Sequence, residues 1–172
     1  MPRKWTVRLW LAGILLICLA GCGYRFAGSG GFPGEVSRVF IRMFDNRTAD
    51  TSAENVITNS LVNEFTRRGG VQVTDAAASE AVLSGSVRSI STATVTHASQ
   101  YTTAERRLVL RVDARLTSRD GEVLWAAENL KEDVVYPVAG EDSATTQTRR
   151  AALSRAAEDM ARSIYNRLTA NF

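Results

Sequence analysis

The feature that most limits the possible folds is an alternation of apolar and polar residues over residues 108–117, broken only by Val109. One set of alternate positions holds Leu108, Leu110, Val112, Ala114 and Leu116, and the other holds Val109, Arg111, Asp113, Arg115 and Thr117. Successive side chains of a β-strand point to opposite faces, so the pattern predicts a strand with one buried and one solvated face. Apolar elements must therefore cover one side of the sheet that contains this strand.

Two amphipathic helices are predicted to provide that cover. Apolar residues recur at helical spacing at Ile57, Leu61 and Phe65, and again at Leu153, Ala157, Met160, Ile164 and Leu168. The first helix is predicted to begin at a capping box made by Thr51 and Glu54 and to end at Gly69–Gly70. The second is predicted to begin between Ser143 and Gln147 and to run nearly to the C-terminus.

Further strands are predicted at residues 36–44, at 81–96 with a bulge near Ser89, and at 122–135. The order is strand, helix, two to four strands, then helix. It predicts an α+β fold in which two helices pack on one face of a mostly antiparallel, roughly four-stranded sheet.

Asp120–Gly121 predicts a hairpin turn, because such turns need a positive φ that Gly tolerates. A two-residue loop would pair Leu116 with Trp125, and a three-residue loop would pair it with Leu124. The sequence leaves both registers open.

The N-terminus has the layout of a secretory signal. Arg3, Lys4 and Arg8 precede an apolar run at residues 9–20, and Leu19-Ala20-Gly21-Cys22 ends it. A bilayer span needs about 20 apolar residues, so this run is too short to be a membrane-spanning helix. We expect cleavage before Cys22 and lipidation of its thiol, with an ordinary signal peptide or a single membrane anchor as the alternatives.

This interpretation divides the chain into three parts. Residues 1–21 are a cleaved lipoprotein signal peptide, residues 22–35 a lipidated N-terminus and flexible tether, and residues 36–172 a single α+β domain. Three of the 21 Lys and Arg residues lie in the signal, which has no acidic residue, so 18 cations remain against 18 Asp and Glu. A nearly neutral domain gives no electrostatic basis for binding nucleic acid.

The sequence contains no recognisable catalytic or metal-binding arrangement. Its single His, His97, falls in a predicted hairpin tip, and no thiol remains free once Cys22 is lipidated. Some carboxylates could pair on neighbouring strands, but no nucleophile or oriented base accompanies Asp113, Glu128, Glu132 and Asp133. We expect no enzymatic activity, no cofactor and no metal.

Several features follow one another in a recognisable order. Cys22-Gly23-Tyr24-x-Phe26 comes first, then a strand, a capped helix ending in Gly, a Ser/Thr-rich hairpin, Asp120–Gly121 with Val-Leu-Trp, and a C-terminal helix. In this order the mature chain resembles the LptE family of lipopolysaccharide-assembly lipoproteins. The resemblance implies an outer-membrane lipoprotein that plugs the lumen of the LptD β-barrel and engages lipopolysaccharide on its way to the outer leaflet. Gly23, rather than Asp, after the lipidated Cys also favours the outer membrane.

Lipopolysaccharide carries phosphates and acidic sugars, which Arg recognises through its bidentate fork. The candidate ligand-binding residues are Arg88, Arg106, Arg107, Arg111 and Lys131. The same residues could equally be solvated charges beside acidic neighbours. Members of the family tend to carry a basic residue at the tip of the first hairpin, and here residues 96–101 contain only His97.

A second function class is a lipid-anchored accessory protein of a cell-wall synthase or a lipid ABC transporter. A synthase partner would require a long linker across the cell wall. The segment between Cys22 and the first strand is about a dozen residues and spans at most roughly 40 Å. Its length favours a partner in the same membrane.

Overall fold

The computed structural model describes residues 32–95, 104–138 and 142–170, which contain six strands, two α-helices and one 3-10 turn. The strands are Arg38–Ile41 (β1), Asp45–Asn46 (β2), Gln72–Val73 (β3), Ala81–Val95 (β4), Glu105–Ser118 (β5) and Val123–Pro137 (β6). The helices are Ala53–Arg68 (α1) and Asp142–Ala170 (α2), and the 3-10 turn is Pro33–Glu35. Both helices lie within the segments predicted from their apolar periodicity, although α2 is already helical at Asp142.

All six strands form one mixed sheet in the order β3-β1-β4-β5-β6, with β2 also paired to β4. The pairs β4–β5 and β5–β6 are antiparallel hairpins, whereas β1 is parallel to both β3 and β4. The chain leaves β1, crosses through α1 and returns in the same direction, which is why these pairs are parallel. The predicted α+β class is confirmed, and the sheet is larger than four strands because the two-residue strands β2 and β3 join it.

Both helices cover the same side of the sheet, as predicted. Helix α2 packs over β5 and β6, and α1 packs near β1, β3 and β4. The alternate residues of β5 beneath the helices are all buried: Leu108, Leu110, Val112, Ala114 and Leu116. The predicted helix stripes are buried too, including Leu61 on α1 and Met160 on α2. We call the other side of the sheet the open face.

An aromatic cluster joins the start of the described chain to both helices. The Phe32 ring lies 5.7 Å from that of Phe65 on α1 and 5.6 Å from that of Tyr165 on α2, measured between centroids. The Tyr165 hydroxyl donates to the Gly69 carbonyl at 2.7 Å, just beyond the end of α1. The segment that leads to β1 is therefore fixed against the core from Phe32 onward.

The start of α1 differs from the prediction. Ser52 is the N-cap and its side chain does not cap the helix; instead its hydroxyl and amide donate to Asp50 Oδ1 at 2.8 and 3.2 Å. Glu54 accepts a hydrogen bond from Asn46 Nδ2 at 2.6 Å, so its carboxylate contacts β2 instead of the free amides at the start of the helix. The predicted Thr51–Glu54 capping box is wrong, because the helix starts one residue later with Ser52 as its N-cap and Asn46 engages the Glu54 carboxylate. The predicted end is confirmed, since Gly69 has φ of 69° and its amide donates to Phe65 O.

Two irregularities interrupt the long strands at one level of the sheet. The register of β4 against β5 shifts between Val87 and Ser89, which confirms the bulge predicted near Ser89. The register of β5 against β6 shifts around Asp113, where Asn129 adopts φ of 54°. We call the strand segments beyond these bulges, residues 89–95, 105–111 and 131–137, the hairpin arm.

The Ser118 amide donates to Glu122 O at 2.8 Å, so the Asp120–Gly121 hairpin has a three-residue loop, but the pairing of Leu116 is the one predicted for a two-residue loop. Leu116 pairs with Trp125, and Gly121 has φ of 90°. A further register shift follows between Leu116 and Thr117, so Thr117 pairs with Val123.

Candidate functional site

Four of the five predicted ligand-binding cations lie on the open face. Arg111 pairs with Ser89 on one side and Lys131 on the other, and Arg88 is the bulged residue directly before Ser89. Arg107 lies on the same face of β5, four residues or about 13 Å closer to the tip of the hairpin arm. The structure therefore brings Arg88, Arg111 and Lys131 into one row across three strands.

Arg106 does not join this group. It alternates with Arg107 and shares its side of β5 with the buried Leu108, opposite Thr94 on β4 and Tyr136 on β6. The residue is exposed although α2 reaches this end of the sheet, where Thr148 donates to Pro137 O at 3.2 Å and Tyr136 is buried. Any ligand that touches the row on the open face lies on the opposite side of the sheet from Arg106.

The cations of the row are already engaged by polar neighbours. Arg88 Nη1 lies 3.3 Å from Asp113 Oδ2, and Arg111 Nη1 donates to Asn129 Oδ1 at 2.9 Å. Asp133 lies 3.3 Å from Lys131 Nζ. These side chains are about half exposed, and such surface pairs are weak, so an anionic ligand could displace them at low cost.

Asp113 organises this region of the open face. Its Oδ1 accepts the backbone N–H of Asn129 at 2.7 Å, while Oδ2 faces Arg88. The β6 bulge aims the Asn129 amide at the carboxylate, and the Asn129 side chain then holds Arg111. Sequence analysis missed Asn129. The signal for it is the break in alternation at residues 126–129, where two Ala residues are followed by two polar ones.

A second basic feature of the open face was not predicted. Arg42 follows β1, and its amide donates to Leu83 O at 2.9 Å, which places Arg42 beside Ser84 of β4. Ser84 in turn pairs with Arg115 of β5. Arg119 continues the same side of β5, and its amide donates to Glu80 O at 2.9 Å. These three arginines border a cavity of about 370 Å³, which we call the arginine cleft.

The carboxylate of Glu80, which lies beside the beginning of β1, is held in its charged form. Glu80 accepts hydrogen bonds from the amide of Ser37 at 2.8 Å and from its hydroxyl at 3.0 Å. It also pairs with Arg38 Nη2 at 2.8 Å. The Ser37 hydrogen bonds, aided by the Arg38 amide and charge, lower the pKa of Glu80 to about 2. Glu80 is therefore anionic at neutral pH and already satisfied by its own neighbours.

Several predicted features lie outside the described residues. They include the lipidation site Cys22, the aromatic residues Tyr24 and Phe26, and His97 at the tip of the first hairpin. Their roles stay predictions.

Within residues 32–95, 104–138 and 142–170, no three His, Cys, Asp or Glu side chains are grouped so as to hold a metal ion. In the same described ranges no helix combines the length and apolar character needed to cross a bilayer.

The fold, two helices on one side of a mixed sheet, is similar to that of several small bacterial lipoproteins of known structure. The solution structure of lipoprotein B from Nitrosomonas europaea is similar with a TM-score of 0.55 and 19% identity, over 86% of this chain and 91% of that one. Rare lipoprotein B from Shewanella oneidensis is similar with a TM-score of 0.55 and 13% identity, over 78% and 95%. A minor lipoprotein from Acinetobacter baumannii has a TM-score of 0.53 and 17% identity, over 78% and 92%. At these identities the likeness concerns the fold alone.

The sequence model of LptE, described as lipopolysaccharide-assembly, matches residues 36–168. The chain therefore belongs to the LptE family, and the resemblance seen in the sequence is confirmed. Members of this family are non-enzymatic accessory lipoproteins of lipopolysaccharide assembly. None of the curated proteins compared with the chain by sequence matches it.

Proposed function

We propose that this protein is an outer-membrane lipoprotein that partners and plugs the LptD β-barrel during delivery of lipopolysaccharide to the outer leaflet. The observation that carries the proposal is the match of the LptE family over residues 36–168. The charged and hydroxyl-bearing open face supports it, because the lumen of such a barrel is polar and water-filled. The protein then acts as a binding and assembly partner with no catalytic step.

Membrane attachment would come from Cys22. Each methylene of the acyl chains on its thiol and amine would add to the affinity for the membrane. More than one chain is needed for stable anchoring. The segment to β1 is short, so the domain would stay close to the membrane surface. Cys22→Ala should therefore move the protein from the membrane to the soluble fraction, and unchanged fractionation would contradict the anchor.

Contact with lipopolysaccharide is proposed for the row on the open face, Arg88, Arg111 and Lys131, together with Arg107. Four cations on one face, balanced locally by Asp113 and Asp133, leave a net positive charge for phosphates or acidic sugars. Arg106 keeps its original assignment as a candidate, but it would have to meet a ligand from the other side of the sheet.

The alternative is an accessory role for a cell-wall synthase or a lipid ABC transporter, with the same anchor and fold. A pull-down of the tagged full-length protein from detergent-solubilised native membranes separates the two, with partners identified by mass spectrometry. Recovery of one large β-barrel in equimolar amount supports the plug. Recovery of a synthase or an inner-membrane transporter without a barrel would replace it with the alternative.

A further inference from the structure

The arginine cleft is distinct from the row of predicted cations. It lies on the open face at the end of the sheet where β4 begins and β5 ends, whereas the hairpin arm extends from the opposite end. Arg115 and Arg111 lie four residues apart on β5, about 13 Å, with Asp113 between them. The cleft therefore needs an explanation of its own.

The geometry of the cleft leaves space between its cations. Arg42, Ser84 and Arg115 form one row across three strands, and the small Ser84 side chain separates the two guanidinium-bearing residues. Thr117 and Arg119 continue β5 beyond that row. The result is a cavity of about 370 Å³ lined by arginines and by hydroxyl-bearing residues. Its volume is in the range of small-ligand sites.

The charge of the cleft is unbalanced. Its lining residues in the described part of the chain include three arginines and no Asp or Glu. The side chains of Arg42 and Arg115 make no hydrogen bond or ion pair with any described residue, whereas Arg119 donates to Ala77 O at 3.2 Å. The nearby Glu80 cannot neutralise them, because Ser37 and Arg38 hold its carboxylate.

A neighbouring groove on the open face differs from the arginine cleft in its charge. It shares Arg42, Ser84 and Arg115 with the cleft, but it also contains three carboxylates, Asp45, Asp113 and Glu128. Because Arg47 also lines that groove, its three cations and three carboxylates balance, and Asp113 is already occupied by Arg88 and the Asn129 amide. An anion is therefore favoured on the Arg119 side of Arg42 and Arg115.

We propose that the arginine cleft binds a phosphate group. A carboxylate presents two acceptor oxygens in one plane, whereas a phosphate presents acceptors in several directions, which matches guanidinium groups approaching from β1 and from two positions on β5. Hydroxyls of lining residues such as Ser84 and Thr117 can donate to the remaining oxygens. The phosphate can come from a free polyphosphate or from an anionic lipid headgroup of the membrane, and the two sources are separable by experiment.

The test uses the intact lipidated protein in non-ionic detergent micelles, without any barrel. Arginine Nε–Hε signals are followed by NMR and assigned from R42Q, R115Q and R167Q. Arg167 is exposed near the end of α2 and borders neither groove, so R167Q is a matched control for loss of one positive charge. One titration adds inorganic pyrophosphate, and a second adds phosphatidylglycerol to the micelles, with phosphatidylcholine as its neutral counterpart.

The expected result is saturable movement of the Arg42 and Arg115 signals while the Arg167 signal stays in place. R115Q should weaken the response of Arg42 roughly tenfold, and R167Q should change it less than about twofold. A response to pyrophosphate alone assigns the cleft to soluble phosphates, and a response to phosphatidylglycerol but not phosphatidylcholine assigns it to lipid headgroups.

Parallel movement of all three signals, or equal effects of R115Q and R167Q, would reduce the cleft to general surface charge and overturn the proposal. Because no barrel is present, this outcome leaves the proposed partnership with LptD unaffected. Loss of that partnership would likewise leave the phosphate result standing.

Discussion

On the helix side of β5, Leu108, Leu110 and Leu116 are buried beneath the helices, whereas on the open face Arg111 and Asp113 lie between them in sequence and remain partly exposed. The helix side derives its stability from close packing of apolar groups. The open face is held by weak ion pairs and by hydrogen bonds to a bulged backbone. On β5, substitutions on the helix side are therefore expected to be poorly tolerated, whereas residues on the open face can change to suit a ligand.

The largest expected effect is on the helix side. Leu61 of α1 is fully buried, so Leu61→Asp places an unpaired charge in the core and should unfold the domain. Asn59→Asp introduces the same group at an exposed position of the same helix and is the matched control. Thermal unfolding followed by circular dichroism measures both. A Leu61→Asp protein with unchanged thermal stability would refute the assignment of the core.

The next effect tests the close approach of the Phe44 ring and the β5 backbone to Gly85. A Cβ at Gly85 would lie 2.1 Å from the Asp113 carbonyl oxygen and 2.3 Å from the Phe44 ring. Gly85→Ala should therefore cost about 1–3 kcal/mol or more, because neither the backbone nor the buried ring can move freely. Denaturant unfolding gives the difference. Phe44→Leu in the Gly85→Ala background should recover less than the full loss, since the carbonyl contact remains.

A moderate effect on stability is expected where a hydrogen bond joins α2 to the segment just before the N-terminus of α1. Arg149 Nη1 donates to Asp50 Oδ2 at 3.0 Å, and Asp50 also holds the Ser52 amide and hydroxyl. Partial burial raises the pKa of Asp50, but the hydrogen bonds from Ser52 and Arg149 outweigh it and leave this pKa below its ordinary value of 3.8. Asp50→Asn should lower the free energy of unfolding by about 1 kcal/mol at neutral pH.

The pH dependence of that loss follows from the direction of the pKa shift. A carboxylate with a lowered pKa in the folded state contributes fully above its unfolded pKa and loses the contribution as pH falls through the folded value. The difference between wild type and Asp50→Asn should therefore be constant near neutrality and shrink below about pH 4. A difference that grows on acidification would contradict the sign of the shift. Arg149→Gln is a useful comparison, because it removes the ion pair and leaves the Ser52 hydrogen bonds.

The smallest stability effect is expected on the open face itself. Lys131→Gln removes only a half-exposed contact with Asp133, so the free energy of unfolding should change by no more than about 0.5 kcal/mol. Under the proposed function the same substitution should weaken co-purification of lipopolysaccharide with the protein. A large loss of stability would show that the open face is structural and would remove the contrast between the two faces.

The periodic parts of the fold were predictable from the sequence. The alternation in β5 and the apolar stripe through Leu61 each involve many residues. Because all of them indicate the same buried face, the pattern is clear. Strands β2 and β3 have two residues each and carry no period, which is why the sheet was underestimated. The capping box failed because Asn46, outside the motif, engages the Glu54 carboxylate and the helix starts one residue later than predicted, after Ser52.

The candidate sites were harder to predict than the fold. The row of Arg88, Arg111 and Lys131 could be proposed from charge and chemistry. Their separation from Arg106 depends on the strand register, which directs Arg106 to the helix side of the sheet and the other three to the open face. The arginine cleft combines Arg42 with Arg115 and Arg119, and the parallel pairing of β1 with β4 brings them together. A single sequence without that pairing gives no reason to group residues so far apart.

The paired bulges at Arg88 and Asn129 have a consequence for how the hairpin arm can vary. They separate the strand register of the arm from that of the rest of the sheet, although Leu108 and Leu110 of the arm are still buried beneath the helices. Inserting two residues into each arm strand would preserve every orientation, because the strand repeat is two, whereas one residue would invert them. We therefore expect the exposed outer part of the arm to change length in even steps, which would alter its reach without changing which side chains face the helices.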